Sequence, residues 1–278
     1  MSLFIASLNS GSNGNCYYVG NNNEAVLIDA GISCRETEKR MKRLGLSMHK
    51  VKAVFITHEH DDHINGIESL AKKYAIPVYI TEATLRNCRL VIQQELICYF
   101  SSNERIRIGN LTIKAVTKKH DACDPHSFIV SDDQNVCVGI FTDIGKACEQ
   151  VIYHFKQCNA VFLEANYDVQ MLTAGSYPWF LKQRITGGSG HLSNTEALEL
   201  FCVHRSVKLT HLILSHLSKN NNTPAIAEQS FLQHAGDTKI IVAGRYNETE
   251  LYHIQQTASP VKENTHYSQQ VVQLSMFN

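Results

Sequence analysis

Apolar and β-branched residues run along this chain in short stretches broken by turn residues. Their spacing predicts strands over 2–8, 16–19, 25–29, 53–57, 78–80, 105–108, 111–116, 127–131 and 136–142. Two further stretches, 160–164 and 209–215, are apolar enough to lie in a sheet covered on both faces. Between and after the strands the apolar residues switch to helical spacing over 35–44, 65–74, 84–96, 146–155, 195–204 and 224–234, and several of these segments open with a Thr, Ser or Asn that can cap a first turn. Both kinds of element occur in both halves, which predicts an α/β protein of two sheets covered by helices rather than an all-β half joined to an all-α half. No Pro/Ser-rich linker, repeat or low-complexity block divides the chain, so it reads as a single domain, 1–278, whose polar end, 259–278, is an extension or an added strand.

Composition narrows the class. At 278 residues and 44% hydrophobic the chain can bury a sizeable core, which excludes disordered and collagen-like proteins. Lys and Arg (26) balance Asp and Glu (26), so nucleic acid or an anionic membrane would have to be met by a local patch and not by a global field. The nine Cys form no Cys-x-x-Cys pair and no framework spacing, and Cys98, Cys137 and Cys202 lie in apolar runs, as in proteins of a reducing compartment. The N-terminal segment lacks the regions of a signal peptide and no apolar run approaches the length of a membrane span, so the expected location is cytoplasmic, with no membrane partner. Histidine is the outlier, with 14 residues of the type most often used as metal ligand and proton carrier.

Three of those His are crowded into Thr57-His58-Glu59-His60-Asp61-Asp62-His63, which follows an apolar strand and precedes a helix. His58 and His60, two apart, face the same way from an extended backbone, while Asp62 and His63 sit where the chain swings toward a neighbouring point. That geometry favours two adjacent metal ions, and two ions need more donors than this loop offers. His120, Asp143 and His216 each follow an apolar strand, where the rim of an active site would lie, and are the candidates to complete the set.

Together with Leu27-Ile28-Asp29-Ala30-Gly31, Thr142-Asp143 and Ser215-His216, the loop and His120 occur in the order of the motifs of the metallo-β-lactamase fold superfamily, which the chain resembles over 27–216. The resemblance implies a four-layer αβ/βα sandwich with a two-metal site on the rim between the sheets. It implies that His58, His60 and His120 hold one divalent ion, that Asp62, His63 and His216 hold the second, and that Asp143 bridges them while Asp29 orients the ligand loop from behind. A strand-end Asp at the bridging position is typical of the family's phosphodiesterases, thioesterases and lactonases. Imidazole and hard oxygen ligands accept zinc, manganese or iron.

A longer match comprises Gly11-Ser12-Asn13-Gly14-Asn15-Cys16, His120-Asp121-Ala122, Tyr177-Pro178-Trp179, Gly190-His191-Leu192-Ser193-Asn194 and His216-Leu217-Ser218-Lys219-Asn220-Asn221, and resembles the YycJ/WalJ-type bacterial nucleases over about 8–250. It implies a DNA exonuclease working 5′ to 3′, in which a hydroxide shared by two ions attacks in line and no side-chain nucleophile is needed. Asp62 would serve as ligand and base. Two departures stand out: Tyr167, where the family often has His, weakens any role of its segment in metal binding, and Asp61, where it often has Ser, adds a carboxylate near the site.

The residues around these motifs suit a phosphodiester. Lys118 and Lys119 precede His120, and Lys182, Arg184 and Lys219 flank His191 and His216, so a neutral chain can still carry a basic face for phosphates. Trp179 could stack on an unpaired base or plug a loop into the core. His191, on a Gly-rich loop, could contact the scissile phosphate, protonate the leaving alkoxide or pack a helix start, and Asn15 and Ser218 complete the expected rim. The expected partner is nucleic acid, DNA before RNA. The competing reading is a small-molecule hydrolase of the same scaffold, acting on a cyclic phosphodiester, thioester or lactone, which a narrow pocket closed by 166–190 would favour. A non-catalytic binding module is disfavoured by the full ligand set.

Overall fold

Each expected strand forms in the computed structural model of the chain, which describes residues 2–256. In chain order the strands are β1 (Leu3–Asn9), β2 (Cys16–Gly20), β3 (Ala25–Ile28), β4 (Val51–Phe55), β5 (Val78–Ile80), β6 (Ile97–Tyr99), β7 (Arg105–Ile108), β8 (Leu111–Thr117), β9 (His126–Ser131), β10 (Cys137–Phe141), β11 (Ala160–Glu164), β12 (His211–Ser215), β13 (Lys239–Val242) and β14 (Tyr252–Ile254). The helices are α1 (Cys34–Arg43), α2 (Asp61–Ile64), α3 (Ile67–Tyr74), α4 (Glu82–Arg86), α5 (Glu149–Phe155), α6 (Val169–Ala174), α7 (Trp179–Thr186), α8 (Asn194–His204) and α9 (Pro224–Leu232).

The strands form two mixed sheets, ordered β14-β1-β2-β3-β4-β5-β6 and β13-β12-β11-β10-β9-β8-β7. In the first, β3 to β6 run parallel; in the second, β10 to β13 do. Alternation along each strand explains the unbroken apolar runs. On β11, Ala160 and Phe162 join the core between the sheets while Val161 and Leu163 face the helices, and on β3 Val26 and Ile28 point inward while Ala25 and Leu27 point outward. The inner layer is closed by aromatic contacts across the gap, Tyr17 to Phe162 at 5.0 Å and Phe55 to Phe128 at 5.5 Å between ring centroids. Such a ring replaced by Ala costs about 3–5 kcal/mol. α1 and α3 cover the outer face of the first sheet, and α5, α8 and α9 that of the second, giving the expected αβ/βα order of layers. No helix among the described residues is long and apolar enough to cross a membrane.

Several boundaries differ from expectation. The helix expected over 84–96 is the short α4, capped by Thr81. Beyond it the chain is drawn away as the Val91 N–H bonds to Glu68 of α3, leaving Val91 exposed. The helix expected over 65–74 begins only at Ile67, after Gly66, where a Cβ would lie 2.0 Å from the Ile32 carbonyl, and the short α2 that precedes it was not anticipated. The helix expected over 146–155 begins only at Glu149. Strands β6, β13 and β14 and helices α6 and α7 were not anticipated by the pattern. The polar stretch 259–278 lies outside the described residues.

Candidate metal centre

The parallel strands bring their C-terminal ends to one rim, as ligand sites in α/β folds require. Asp29 follows directly on β3 and His216 on β12, Thr57-His58 and Asp143 come within three residues of the ends of β4 and β10, and Glu164 is the last residue of β11. Three of these residues leave their strands in the left-handed region: Asp29 at φ 60°, Asp143 at 54° and His216 at 55°. A non-glycine residue there is strained by about 1–3 kcal/mol, and such strain concentrates at functional sites.

Asp29, fully buried, ties the ligand loop together. Its Oδ1 accepts the Thr57 N–H (2.8 Å), its Oδ2 accepts the Thr57 hydroxyl (2.9 Å), and the same Oδ2 lies 2.7 Å from His63 Nδ1. This places the His63 ring proton on Nδ1 and leaves Nε2, 3.2 Å from Asp143 Oδ2, as a lone pair. His58 Nδ1 is likewise engaged by Thr57 Oγ1 at 2.8 Å, and His120 Nδ1 by the Gly190 carbonyl at 3.0 Å. Their free Nε2 atoms approach His60 Nδ1 to 3.0 and 3.4 Å. His58, His60 and His120 therefore point ligand atoms at one place, all within 4.8 Å of one another.

Beside them, Asp143 Oδ1 lies 2.8 Å from His216 Nδ1, and Asp62 Oδ2 lies 3.6 Å from His63 Nε2 and 3.7 Å from His216 Nε2. Asp143 Oδ2 and His216 Nδ1 are buried without a partner in hydrogen-bond geometry. Buried polar atoms left this way are costly unless something absent from the protein chain satisfies them, and the donor types fit a divalent cation. The fields agree. Burial, with His63 and Lys118 nearby, pushes the His58 imidazole well below its ordinary range, and burial takes His120 down to about 2 against the pull of Asp143. Burial opposes ionisation of Asp143, but His216 and His63 hold its carboxyl well below the usual range. His63 is the exception: burial opposes its charge, but Asp143, Asp29 and Asp62 favour it, so a cation bound at Nε2 would have to displace a proton there.

Glu164 was not picked out from the sequence, although it closes an apolar strand as Asp29 and Asp143 do. It is fully buried. Oε1 meets His191 Nδ1 at 2.7 Å, and Oε2 accepts the N–H of Ile144 (2.6 Å) and of Leu192 (3.3 Å). It joins the Asp143 turn to the His191 loop. Its charge outweighs the effect of burial and raises His191 to about 9.

The seven expected ligands and His191 are thus brought together, and several other expected contacts are not. Lys118 is buried, and its ammonium donates to the Thr142 carbonyl at 2.8 Å, so it cannot meet substrate at the surface; burial pushes its pKa down. Asn15 is fully buried rather than on the rim. Its Nδ2 lies 3.1 Å from both Asp62 Oδ2 and His63 Nε2, and its backbone N–H bonds the Asp62 carbonyl. Lys119 is exposed outside the cleft, and Lys182 is turned to the Thr173 carbonyl. Trp179 is 75% exposed, which excludes the core plug, and Arg184 lines the cleft while paired with Asp121. Tyr167 is buried against Leu172 and Ile185, and Asp61 opens onto a separate hollow with Glu59 and Glu68. The cleft over the centre measures about 260 Å³ and is bordered by Ser12, Asn166, Tyr177, Arg184, His191 and Ser218.

The family model described as metallo-beta-lactamase superfamily matches residues 10–93. The solved metallo-beta-lactamase fold protein YhfI from Bacillus subtilis superposes with a TM-score of 0.71 at 16% identity, covering 91% of this chain and 100% of that one. Exodeoxyribonuclease YycJ of Bacillus anthracis is 35% identical over 238 residues, 84% of this chain and 89% of its own. The chain belongs to the metallo-beta-lactamase superfamily, and it is a metal-dependent hydrolase. Within that class its similarity runs to the YycJ/WalJ exodeoxyribonucleases over most of its length: WalJ of Streptococcus pneumoniae serotype 2 is 31% identical over 230 residues, 81% of this chain and 85% of its own.

Proposed function

We propose that this protein is a phosphodiesterase that degrades DNA from its ends, 5′ to 3′. The observation that carries this reading is the convergence of seven candidate ligand side chains and the His191–Glu164 pair at the floor of a cleft on the scale of one nucleotide. A cleft of that size suits removal of a terminal unit rather than cutting within a duplex, and the names of the relatives point the same way. His58, His60 and His120 would hold one divalent ion, Asp62, His63 and His216 a second, with Asp143 shared; zinc, manganese and iron all suit this donor set. When bound, such ions lower the pKa of water and neutralise charge on the phosphoryl group.

The chain's own residues position the rest. Glu164 fixes the His191 proton on Nδ1 and supports a charged ring, so Nε2 faces the cleft as a donor to a phosphate oxygen or to the departing alkoxide. Asp62, steadied by Asn15, is the carboxylate placed to take a proton at the floor. Arg184 and Ser218 on the walls are placed for phosphate, and Trp179 for a base beyond the mouth. The unpaired state of all nine Cys suits a cytoplasmic location.

One observation favours the second reading, a small-ester hydrolase: Asn166, Tyr177, Leu181 and Ile185 wall one side of the cleft. The deciding experiment presents end-labelled single- and double-stranded DNA and RNA beside a cyclic phosphodiester and a thioester, with zinc or manganese supplied. Stepwise shortening of DNA is the expected result. Turnover of the small ester alone would exclude the nuclease and leave the metal centre standing.

A further inference from the structure

The cleft over the metal centre continues past His216. It shares Leu217 and Ser218 with a second hollow of about 330 Å³, walled by Lys219, Pro224, Arg245 and Tyr246. The lining of that hollow holds two cations and no carboxylate, in a chain whose charges balance overall. Among the described residues neither cation is held in an ion pair.

Arg245 is nevertheless fixed in place. Its guanidinium donates to the Leu217 carbonyl (2.7 Å), to Asn13 Oδ1 (3.0 Å) and to Ser12 Oγ (3.2 Å). Those bonds use three of its five N–H groups and leave the others for an oxyanion. The glycine-rich turn 11–14 makes room for it: a Cβ on Gly11 would come 2.9 Å from Arg245 Nη2. The turn is a seat for a guanidinium beside the metal centre. Tyr246, the next residue, also lines the hollow and is 65% exposed, while its backbone carbonyl is anchored by Arg40 Nη2 at 3.0 Å. A pre-placed cation, an exposed cation and an exposed aromatic next to a phosphodiester-sized cleft form the combination that recognises a single strand without regard to sequence.

We propose that this hollow is a second nucleotide subsite, in which Arg245 and Lys219 take the phosphate adjoining the one at the metal centre and Tyr246 stacks against its base. The inference rests on the polynucleotide reading above. The test compares kcat/KM for an oligodeoxynucleotide with that for bis(p-nitrophenyl) phosphate, which is too small to reach the hollow. Tyr246→Ala should lower the ratio of the two about tenfold and Tyr246→Phe should hold it, because stacking needs the ring and not the hydroxyl. Lys219→Ala should reduce the salt slope of log kcat/KM on the oligonucleotide by about one. Either a wild-type ratio in Tyr246→Ala or an unchanged slope in Lys219→Ala overturns the subsite. A wild-type protein that hydrolyses the small diester and no polynucleotide overturns the underlying reading instead.

Discussion

Glu164→Gln separates orientation of His191 from metal binding. The carboxylate makes three contacts, to His191 Nδ1 and to the N–H groups of Ile144 and Leu192. The amide is nearly isosteric and its oxygen can still accept from both backbone groups, so the fold should lose at most about 1 kcal/mol. Its NH₂ must then face His191 Nδ1, which reverses the tautomer and removes a charge-assisted bond of about 1.5–3 kcal/mol. If that energy is felt in the transition state, kcat falls about ten- to a hundredfold. Glu164→Ala is a different perturbation. It strands two buried N–H groups at about 1–3 kcal/mol each and opens a cavity, so its main effect is a loss of stability.

The assay is steady-state kinetics on a labelled oligonucleotide, with bound metal measured by mass spectrometry and the melting temperature recorded on the same samples. The expected outcome for Glu164→Gln is reduced kcat, full metal content and a near-native melting temperature. Adding His191→Ala should then cost little more, because the two residues act as one unit. Wild-type kcat in Glu164→Gln would refute the orienting role. Loss of metal equal to that in Asp143→Ala would make Glu164 a ligand, which its fully engaged oxygens argue against.

Asp143→Ala should lose bound metal and lower kcat by more than about a hundredfold while remaining folded; a metal-replete, fully active variant would rule out the shared-ligand position. Gly31→Ala places a Cβ 1.7 Å from the Asp62 carbonyl, so α2 must move; a drop in stability of about 2–3 kcal/mol and weakened metal binding are expected in thermal melts and metal titrations. His154, held at about 4 by burial with help from Lys114 and Arg105, stays neutral in the folded state under conditions where the unfolded chain is already protonated. Its folded pKa is depressed, so the stability it contributes is present above pH 6.5 and lost as pH falls toward 4. His154→Gln should therefore reduce the fall in unfolding free energy, taken from urea melts, between about pH 7 and pH 5 by about 1 kcal/mol, a figure reduced for solvent screening, and an equally steep fall would sink that assignment.

The strands and the ligand set were legible because both carry strong local signals. Parallel strands buried on two faces leave unbroken apolar runs, and a solvated loop seldom gathers four potential ligands in six positions. Features decided by tertiary contact were not legible. Nothing local in 84–96 announces that Glu68 will capture the Val91 amide, and nothing in 11–16 announces that Asn15 will turn inward to Asp62. Lys118 is different, because its burial has a local signal. It stands two residues before His120, so the period of an extended backbone puts both on one side, and both are buried while Thr117 and Lys119 are exposed. Glu164 shares the strand-end position of Asp29 and Asp143, but no motif accompanies it, and its role shows only when Ile144 and Leu192 are seen against it.

Lys118, Asn15 and Glu164 belong to a set of buried polar residues with one physical task in common. Left-handed backbone at Asp29, Asp143 and His216 turns each side chain out of the pleat and into the gap between the sheets, at a cost that must be held down by neighbours. Thr57 holds Asp29. The Asp143 turn is gripped on one side by Lys118 at the Thr142 carbonyl and on the other by Glu164 at the Ile144 amide. His216 is gripped by Ser10 at its N–H and by Asn166 at its carbonyl. Each of these three residues is thus flanked by buried polar groups that an apolar core would never choose, and their desolvation is offset by the bonds they make beside the ligands. Lys118, Glu164, Ser10 and Asn166 bear on the backbone beside Asp143 and His216, whereas Thr57 and Asn15 bond side-chain atoms, of Asp29 and of Asp62 and His63. A divalent cation held at the centre would satisfy Asp143 Oδ2 and His216 Nδ1, two buried atoms that have no hydrogen-bond partner in the protein.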